Sequence, residues 1–360
     1  MGNSCEYFVY GAPQVNITTF LTPTINLPAE SAGANGGQWE VSEQRRLGSC
    51  RDIADVELGA RLAGGAFVTE WFDTGIAKLF KTFMTDATTS GGPTNYVHGL
   101  LYDDSTDLNY FSAQIYYQST LGLSILGGLI NSYELNAVKK ERAKLTFNWE
   151  AKDVAESSNN SSGDGLVWNY STSTNTPNLV VPTALTTPSG RGLWFYDATV
   201  QRSGTFTFNP TTQRMVQAGS PQALSTLSSL KLAVNHNLDT DGFFLTADRT
   251  RGAFCPQNRE IKLTLEFDWC DHAVTLWRLA NAGTPVTLKA VFLKSANLGV
   301  ELYFPAVFLA PFALPDVAGD KAKQTYTVEA TAESAAVTNT TSGTTTMAMN
   351  MVVLNTEATI

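Results

Sequence analysis

Residues 129–153 read LINSYELNAVKKERAKLTFNWEAKD. From Arg142 onward, Ala143, Leu145, Phe147 and Trp149 alternate with Arg142, Lys144, Thr146, Asn148 and Glu150. Successive side chains on a strand point to opposite faces, so this spacing predicts a strand with one apolar and one wet, charged face. Ile130 to Val138 has the same habit, with Tyr133, Leu135 and Ala137 on one side. Lys139, Lys140, Glu141 and Arg142 stand between the two runs, which predicts a hairpin with a charged tip. Half-buried antiparallel strands are therefore the building unit, and the fold class is mainly β with a minor helical part, α+β.

Towards the N-terminus, Val56, Leu58, Ala60 and Leu62 alternate with Asp55, Glu57, Gly59 and Arg61. After Gly64-Gly65 the period changes. Phe72, Ile76, Leu79, Phe80 and Phe83 follow helical spacing, predicting a helix over 69–84 with Thr69 as its N-cap and an apolar face on a sheet. Thr85 to Pro93 reads as a polar loop, and strand text returns around Tyr110 to Tyr117. Residues 1–40, rich in Pro, Gly and Ala, read as an extended arm that a neighbouring surface orders.

Towards the C-terminus, residues 155–190 turn to Ser, Asn, Thr, Gly and Pro, the composition of a linker or long loop. Strand text resumes at 193–200, 204–208 and 230–234. A second clean alternation sets Ile261, Leu263, Leu265, Phe267 and Trp269 against Glu260, Lys262, Thr264, Glu266 and Asp268. Asp271 is a good N-cap for a helix from His272 to Ala282, with Gly283 as its stop. Strands follow at 286–293, 300–310 and 324–331. The Ala/Thr/Ser-rich end closes on MNMVVLN, one more strand or an arm.

An order repeats. Strand 55–62, helix 69–84 and strands 109–117, 129–139 and 142–150 match strand 260–269, helix 271–282 and strands 285–293, 300–310 and 323–331. Residue identity between the halves is poor, so the repeat is one of pattern, and it predicts an internal duplication. The chain divides into an arm (1–40), a first domain (41–154), a linker or long loop (155–190), a second domain (191–335) and a C-terminal tail (336–360).

Composition narrows the function classes. The chain of 360 residues is 43% hydrophobic and 11% aromatic, enough to build real cores. Its formal charge of −9 excludes a sequence-independent nucleic-acid binder, which needs a basic footprint. No basic-then-apolar signal peptide and no run of about 18 apolar residues is expected from the sequence. Cys5, Cys50, Cys255 and Cys270 are scattered without a CxxC pair, reading as reduced thiols.

Chemistry-bearing motifs are sparse. There is no GxSxG elbow, HExxH helix, Walker loop or GxGxxG, and none of His98, His236 and His272 belongs to a catalytic motif, so no enzyme and no cofactor is expected. Asn237, Asp239, Asp241, Gly242 and Asp248 approximate the spacing of a calcium loop, yet lack helical flanks, and a D-G turn explains them more simply. Trp149, Trp269 and Trp277 fall on apolar faces and read as core. The cluster Lys139, Lys140, Arg142 and Lys144, mixed with Glu141, suits a subunit contact.

The runs G-G-L-I-N-S-Y-E-L-N-A-V-K-K-E-R-A-K-L-T-F-N-W-E-A-K-D from Gly127, L-K-L-A-V-N-H-N-L-D from Leu230, R-E-I-K-L-T-L-E-F-D-W from Arg259 and L-Y-F-P-A-V-F-L from Leu302 resemble the major tail tube proteins of tailed bacteriophages. The resemblance covers roughly residues 40–335. It implies two tail-tube-like domains, each of two packed antiparallel sheets or a barrel with one flanking helix. It further implies a structural subunit of the virion tail, assembled in the host cytoplasm as stacked rings around a DNA channel. The partners implied are other copies of the chain, a tape measure, a tail terminator, and genomic DNA that passes without specific binding. Two domains per chain make a ring of three chains with pseudo-six-fold symmetry; the alternative is six. Arg142, Lys144, Asn148, Glu150, Glu260, Lys262, Glu266 and Asp268 are the candidate channel-facing or interface residues. Leu145, Phe147, Trp149, Leu263, Leu265, Phe267, Phe72 and Ile76 are the candidate core. The competing class is a carbohydrate-binding or hydrolytic β-sandwich such as a phage adhesin, which needs exposed aromatics beside carboxylates.

Overall fold

The structure, a computed structural model, describes residues 7–14, 23–44, 55–72, 75–82, 84, 87–92, 95–102, 109–118, 121–158, 192–239, 253–268, 271–313 and 325–358. Its first half contains β1 (Tyr7–Gln14), β2 (Pro23–Gln44), β3 (Asp55–Glu70), α1 (Ile76–Lys81), β4 (Ala87–Gly92), β5 (Asn95–Tyr102), β6 (Tyr110–Gln118), β7 (Leu121–Val138) and β8 (Lys144–Ser158). The second half begins with β9 (Ala198–Arg202), β10 (Thr205–Asn209), β11 (Arg214–Ala218), β12 (Gln222–Ala223), β13 (Leu227–Asn235), β14 (Leu238–Asp239) and β15 (Cys255–Pro256). It continues with β16 (Glu260–Asp268), α2 (Asp271–Asn281), β17 (Val286–Ser295), β18 (Leu298–Leu309) and β19 (Thr325–Ala332). Last come β20 (Ala335–Asn339), β21 (Thr344–Met347) and β22 (Met349–Asn355). The protein is mainly β, as the alternation implied.

The hairpin that decides the fold is β7–β8. Its tip turns at Lys140, whose φ of 73° lies in the left-handed region, and Glu141 N–H donates to the Val138 carbonyl at 2.9 Å. Leu135 stands opposite Leu145 and Tyr133 opposite Phe147. Behind them Phe147 stacks on Phe67 at 4.8 Å, while Phe80 of α1 meets Tyr133 edge-on at 5.2 Å and Trp71 at 5.2 Å. Ile76, Ala77, Leu79 and Phe80 anchor α1 in this core, with Lys78 and Lys81 at its edge. Trp149 faces Gly65 across β3–β8. A Cβ on Gly65 would lie 2.1 Å from the Gly33 carbonyl oxygen and 2.6 Å from the indole, so the glycine is what lets the ring close down on the sheet.

Several local expectations are corrected. The helix read over 69–84 is only Ile76–Lys81, begun at Gly75 with φ 84°; Thr69 is no N-cap but a buried strand residue opposite Leu145. The ladder to β8 runs through Glu70 opposite Lys144, so Thr69 and Glu70 belong to β3 and the helix starts beyond them. Leu62, placed on the apolar face, is 36% exposed while Ala63 is buried. Bulges between Asn35 and Gln38 and between Trp39 and Val41 move the register here, and one residue of slip exchanges the faces. The polar loop at 85–93 contains β4, and the arm at 1–40 contains β1 and most of β2. MNMVVLN is a strand, buried along its whole length between β18 and β5. At α2, Gly283 has φ 60° and its N–H reaches the Ala280 carbonyl while Thr284 N–H reaches Leu279, so the glycine stop is a left-handed cap.

Strand pairing follows one scheme in both halves. In the first, β1 pairs with β2, β2 with β3, β3 with β8, β8 with β7, β7 with β6, and β6 with β1. In the second, β9 pairs with β12, the short strand leading into β13; then β13 with β16, β16 with β19, β19 with β18, β18 with β17, and β17 with β9. Every one of these pairings is antiparallel. The halves join edge to edge where β7 pairs with β13, from Ser132 opposite Asn235 to Val138 opposite Ser229. One hydrophobic core runs behind the joined sheet, with α1 and α2 both in it.

Of the strands outside this scheme, β22, β5 and β4 continue the large sheet from β18, β14 pairs with β15, and the other four form a second layer. β10, β11, β20 and β21 make a separate sheet whose Phe206, Phe208, Met215, Val337 and Met347 pack on Leu101, Tyr303 and Val352. Asn350 pins the layers together: its side chain donates to the Leu100 and Gln213 carbonyls and accepts from Met215 N–H, each at 2.9 Å.

Candidate functional site

Because β7 and β13 are neighbours, the outward faces of β8, β7, β13, β16 and β19 lie in one sheet. The rows are read from register. Lys144, Asn136, Lys231, Thr264 and Glu329 form one; Thr146, Glu134, Ala233, Lys262 and Thr331 the next; Asn148, Ser132, Asn235 and Glu260 the third. Glu266 and Asp268 lie on the same outward side of β16. The residues singled out on the two alternating strands thus share one continuous polar face, with Arg142 just before β8 and Glu150 midway along it. Behind it, Leu145, Phe147, Trp149, Leu263, Leu265, Phe267 and Ile76 are buried, and Phe72 packs partly buried against them.

The face is ionic and self-paired. Lys231 meets Glu134 at 2.7 Å, Lys262 meets Glu260 at 2.8 Å, and Lys144 reaches Glu30 at 2.8 Å. Hydrogen bonding to Glu30 and Glu260 raises the pKa of Lys144 and Lys262 respectively. Arg142 forks onto both oxygens of Glu70 at 2.8 and 3.0 Å. On the five strands the outward carboxylates are Glu134, Glu150, Glu260, Glu266, Asp268 and Glu329, and the outward ammonium groups are Lys144, Lys152, Lys231 and Lys262. The face is therefore acidic on balance, even with Arg142 at its margin.

One feature escaped the sequence reading. Residues 193–195 clasp the hairpin tip, with Ala143 N–H donating to Leu193 at 2.7 Å and Phe195 N–H to Glu141 at 3.1 Å. Trp194 lies under the Arg142 guanidinium at 5.4 Å and is 38% exposed; Tyr196 beside it is 64% exposed. Nothing in the periodicity of a short aromatic run distinguishes such a clasp from core.

The remaining candidates disperse. Asn237 is at a left-handed turn with φ 47°, its side chain bonded to the Asn258 carbonyl at 2.7 Å; Asp239 pairs in β14, and Asp241, Gly242 and Asp248 lie outside the described residues. Among the described residues no three His, Cys, Asp or Glu side chains gather as a metal site. His98 and His236 are buried: His98 bonds Asn355 at 2.7 Å, and His236 bonds the Tyr102 hydroxyl at 3.1 Å and the Asn131 carbonyl at 3.2 Å. Burial holds the His236 imidazole down to a pKa of about 4, with the Arg259 charge acting the same way. Trp149 is buried, Trp277 half-buried, and Trp269 outside the described residues. What the sheet offers is an extended ionic surface.

No curated protein matches the chain. A family model described as phage tail tube protein matches residues 8–332, from the second residue of β1 to the last of β19. That span takes in both copies of the pairing scheme and the polar face they share, and the chain belongs to the phage tail tube protein family.

Proposed function

We propose that the chain carries two tube domains and that three chains make one ring of the tail tube. The observation that carries this reading is the matched antiparallel scheme of the two halves, joined through β7 and β13 so that one polar face crosses both. Each half then supplies one of six wall segments, and rings stack helically into the tube. The polar face lines the channel. Its excess of carboxylates keeps DNA phosphates from binding during passage, since affinity for a polyanion needs cations to displace its counterions. The exposed hairpin tip, with Lys139, Lys140 and the Trp194–Tyr196 clasp, lies at one end of the strands, where it meets the next ring, a tape measure or a terminator. The role is structural and non-enzymatic, in a virion tail assembled in the host cytoplasm.

Electron microscopy of the concentrated protein tests the reading. Hollow tubes with an axial repeat are expected; dispersed globules at all concentrations would exclude it.

A further inference from the structure

The seam between the two halves is a template for the seam between two chains, and resting on the duplicated-domain reading, it names the strands involved. Within the chain, β7 uses one edge for two neighbours in turn: β6 along Leu121–Gly128, then β13 along Ser132–Val138. Likewise the β12–β13 edge receives β9 at Gln222–Ala223 and then β7 at Ser229–Asn235. In the matched scheme β18 takes the place of β7, and β2 takes the place of β12–β13. The β18 edge receives β17 as far as Val307, and among the described residues no strand pairs with it from Phe308 to Ala313. The β2 edge receives β1 at Pro23–Pro28, and among the described residues no strand pairs with that edge from Ala29 to Asn35.

We infer that these two edges meet between copies: Phe308–Ala313 of one chain adds antiparallel to Ala29–Asn35 of the next, as β7 adds to β13 within each chain. Each edge follows the last residue of a pairing that has its counterpart in the internal seam, so a head-to-tail contact completes both. The side chains fit a backbone-to-backbone seam. Ala29, Ala32 and Ala34 lie partly buried against the core, a Cβ on Gly33 would meet open space, and Phe312 packs on the same core. Ala310 N–H already donates to the Glu329 carbonyl of β19, so Leu309 and Pro311 turn their backbones to the other edge. Pro311 brings no N–H there, which leaves that edge a poor template for indiscriminate pairing while keeping its carbonyl available. The contact is heterologous, so it closes a ring only if the rotation per chain is right, and repetition of one internal seam supplies that rotation.

Paired cysteines test the seam on assembled particles of the full chain. Ser31→Cys is combined with Ala310→Cys or Ala313→Cys and treated with a short bis-maleimide; Glu134→Cys with Ala233→Cys is the internal control, since those residues stand opposite each other in β7–β13. The parent chain, with its four native cysteines, sets the background. We expect intermolecular products only in the doubly substituted chains, in a ladder that ends at three chains. Amide exchange at 29–35 and 308–313 slows on assembly by at least tenfold. Tubes that form without the ladder, and whose amides in both segments exchange as in free subunits, overturn the seam and leave the tube reading standing. A ladder ending at six supports the seam and refutes three chains per ring. Failure of the parent chain to assemble at any concentration removes both.

Discussion

Trp149→Ala is the sharpest test of which face of β8 is core. The indole is 1% exposed, lies over Gly65, and finds no acceptor for its N–H among the described residues. Burying a side chain of that size removes on the order of 200 Å² from water, worth about 5 kcal/mol at roughly 25 cal/mol/Å². Alanine keeps a small part of that, and deleting a buried unpaired donor returns about 1 kcal/mol. The expected loss is therefore about 3 kcal/mol, at the low end of the range for aromatic-to-alanine changes in cores. Trp149→Phe fills most of the space and drops the unpaired N–H, so its cost stays below about 1.5 kcal/mol. Urea titration of the free subunit followed by far-UV ellipticity reads both, as a fall in midpoint at unchanged slope. Unchanged stability in Trp149→Ala would refute the burial, and Trp149→Phe as damaging as alanine would show that the N–H is bonded after all.

Three further outcomes follow from the buried and surface polar groups. His236 has a folded pKa near 4 against 6.5 when free. Stability is therefore full above pH 6.5 and drains as pH falls towards 4, by about 3 kcal/mol over the window; His236→Gln should flatten that part of a stability-against-pH curve, and an unaltered slope would count against the buried neutral imidazole. Asn350→Ala strands two carbonyls and one N–H between the layers, so a loss of at least about 3 kcal/mol in denaturant is expected, with a change within 0.5 kcal/mol arguing that the layers hold without it. Tubes of the combined Glu260→Lys, Glu266→Lys and Asp268→Lys variant should retard DNA in low-salt gels and release it as salt rises, where the parent tubes do not; equal mobility for both would say that this face does not meet DNA.

Legibility in the sequence tracked one-sided burial. Lys144–Glu150 and Glu260–Asp268 each face core on one side and water on the other, so their strict alternation named both faces. MNMVVLN is buried on both sides, between β18, β5 and the second sheet, and a uniform apolar run carries no period to read. β2 is long, bulged and built of Ala, Gly and Ser, so neither its strand character nor its register is encoded in hydrophobic spacing. The helix at α1 reads too long from sequence because Thr69 has the chemistry of an N-cap and Phe72 falls in step with Ile76, Leu79 and Phe80, although β3 runs on through Glu70. The repeated order of elements was visible although residues were not conserved between halves, since pairing constrains pattern more than identity. What no pattern could reveal was the join itself: β7 against β13 is a contact between strands about a hundred residues apart, made by backbone groups that every sequence possesses.

The central claim is that each chain supplies two of the six segments in the tube wall. Helical reconstruction of assembled tubes from electron micrographs, with chains per ring counted in end-on averages, tests it most directly. The account predicts three chains per ring, with six similar but alternating wall segments and an unbroken sheet around the channel. Six identical chains per ring, with one half of each outside the wall, would contradict it.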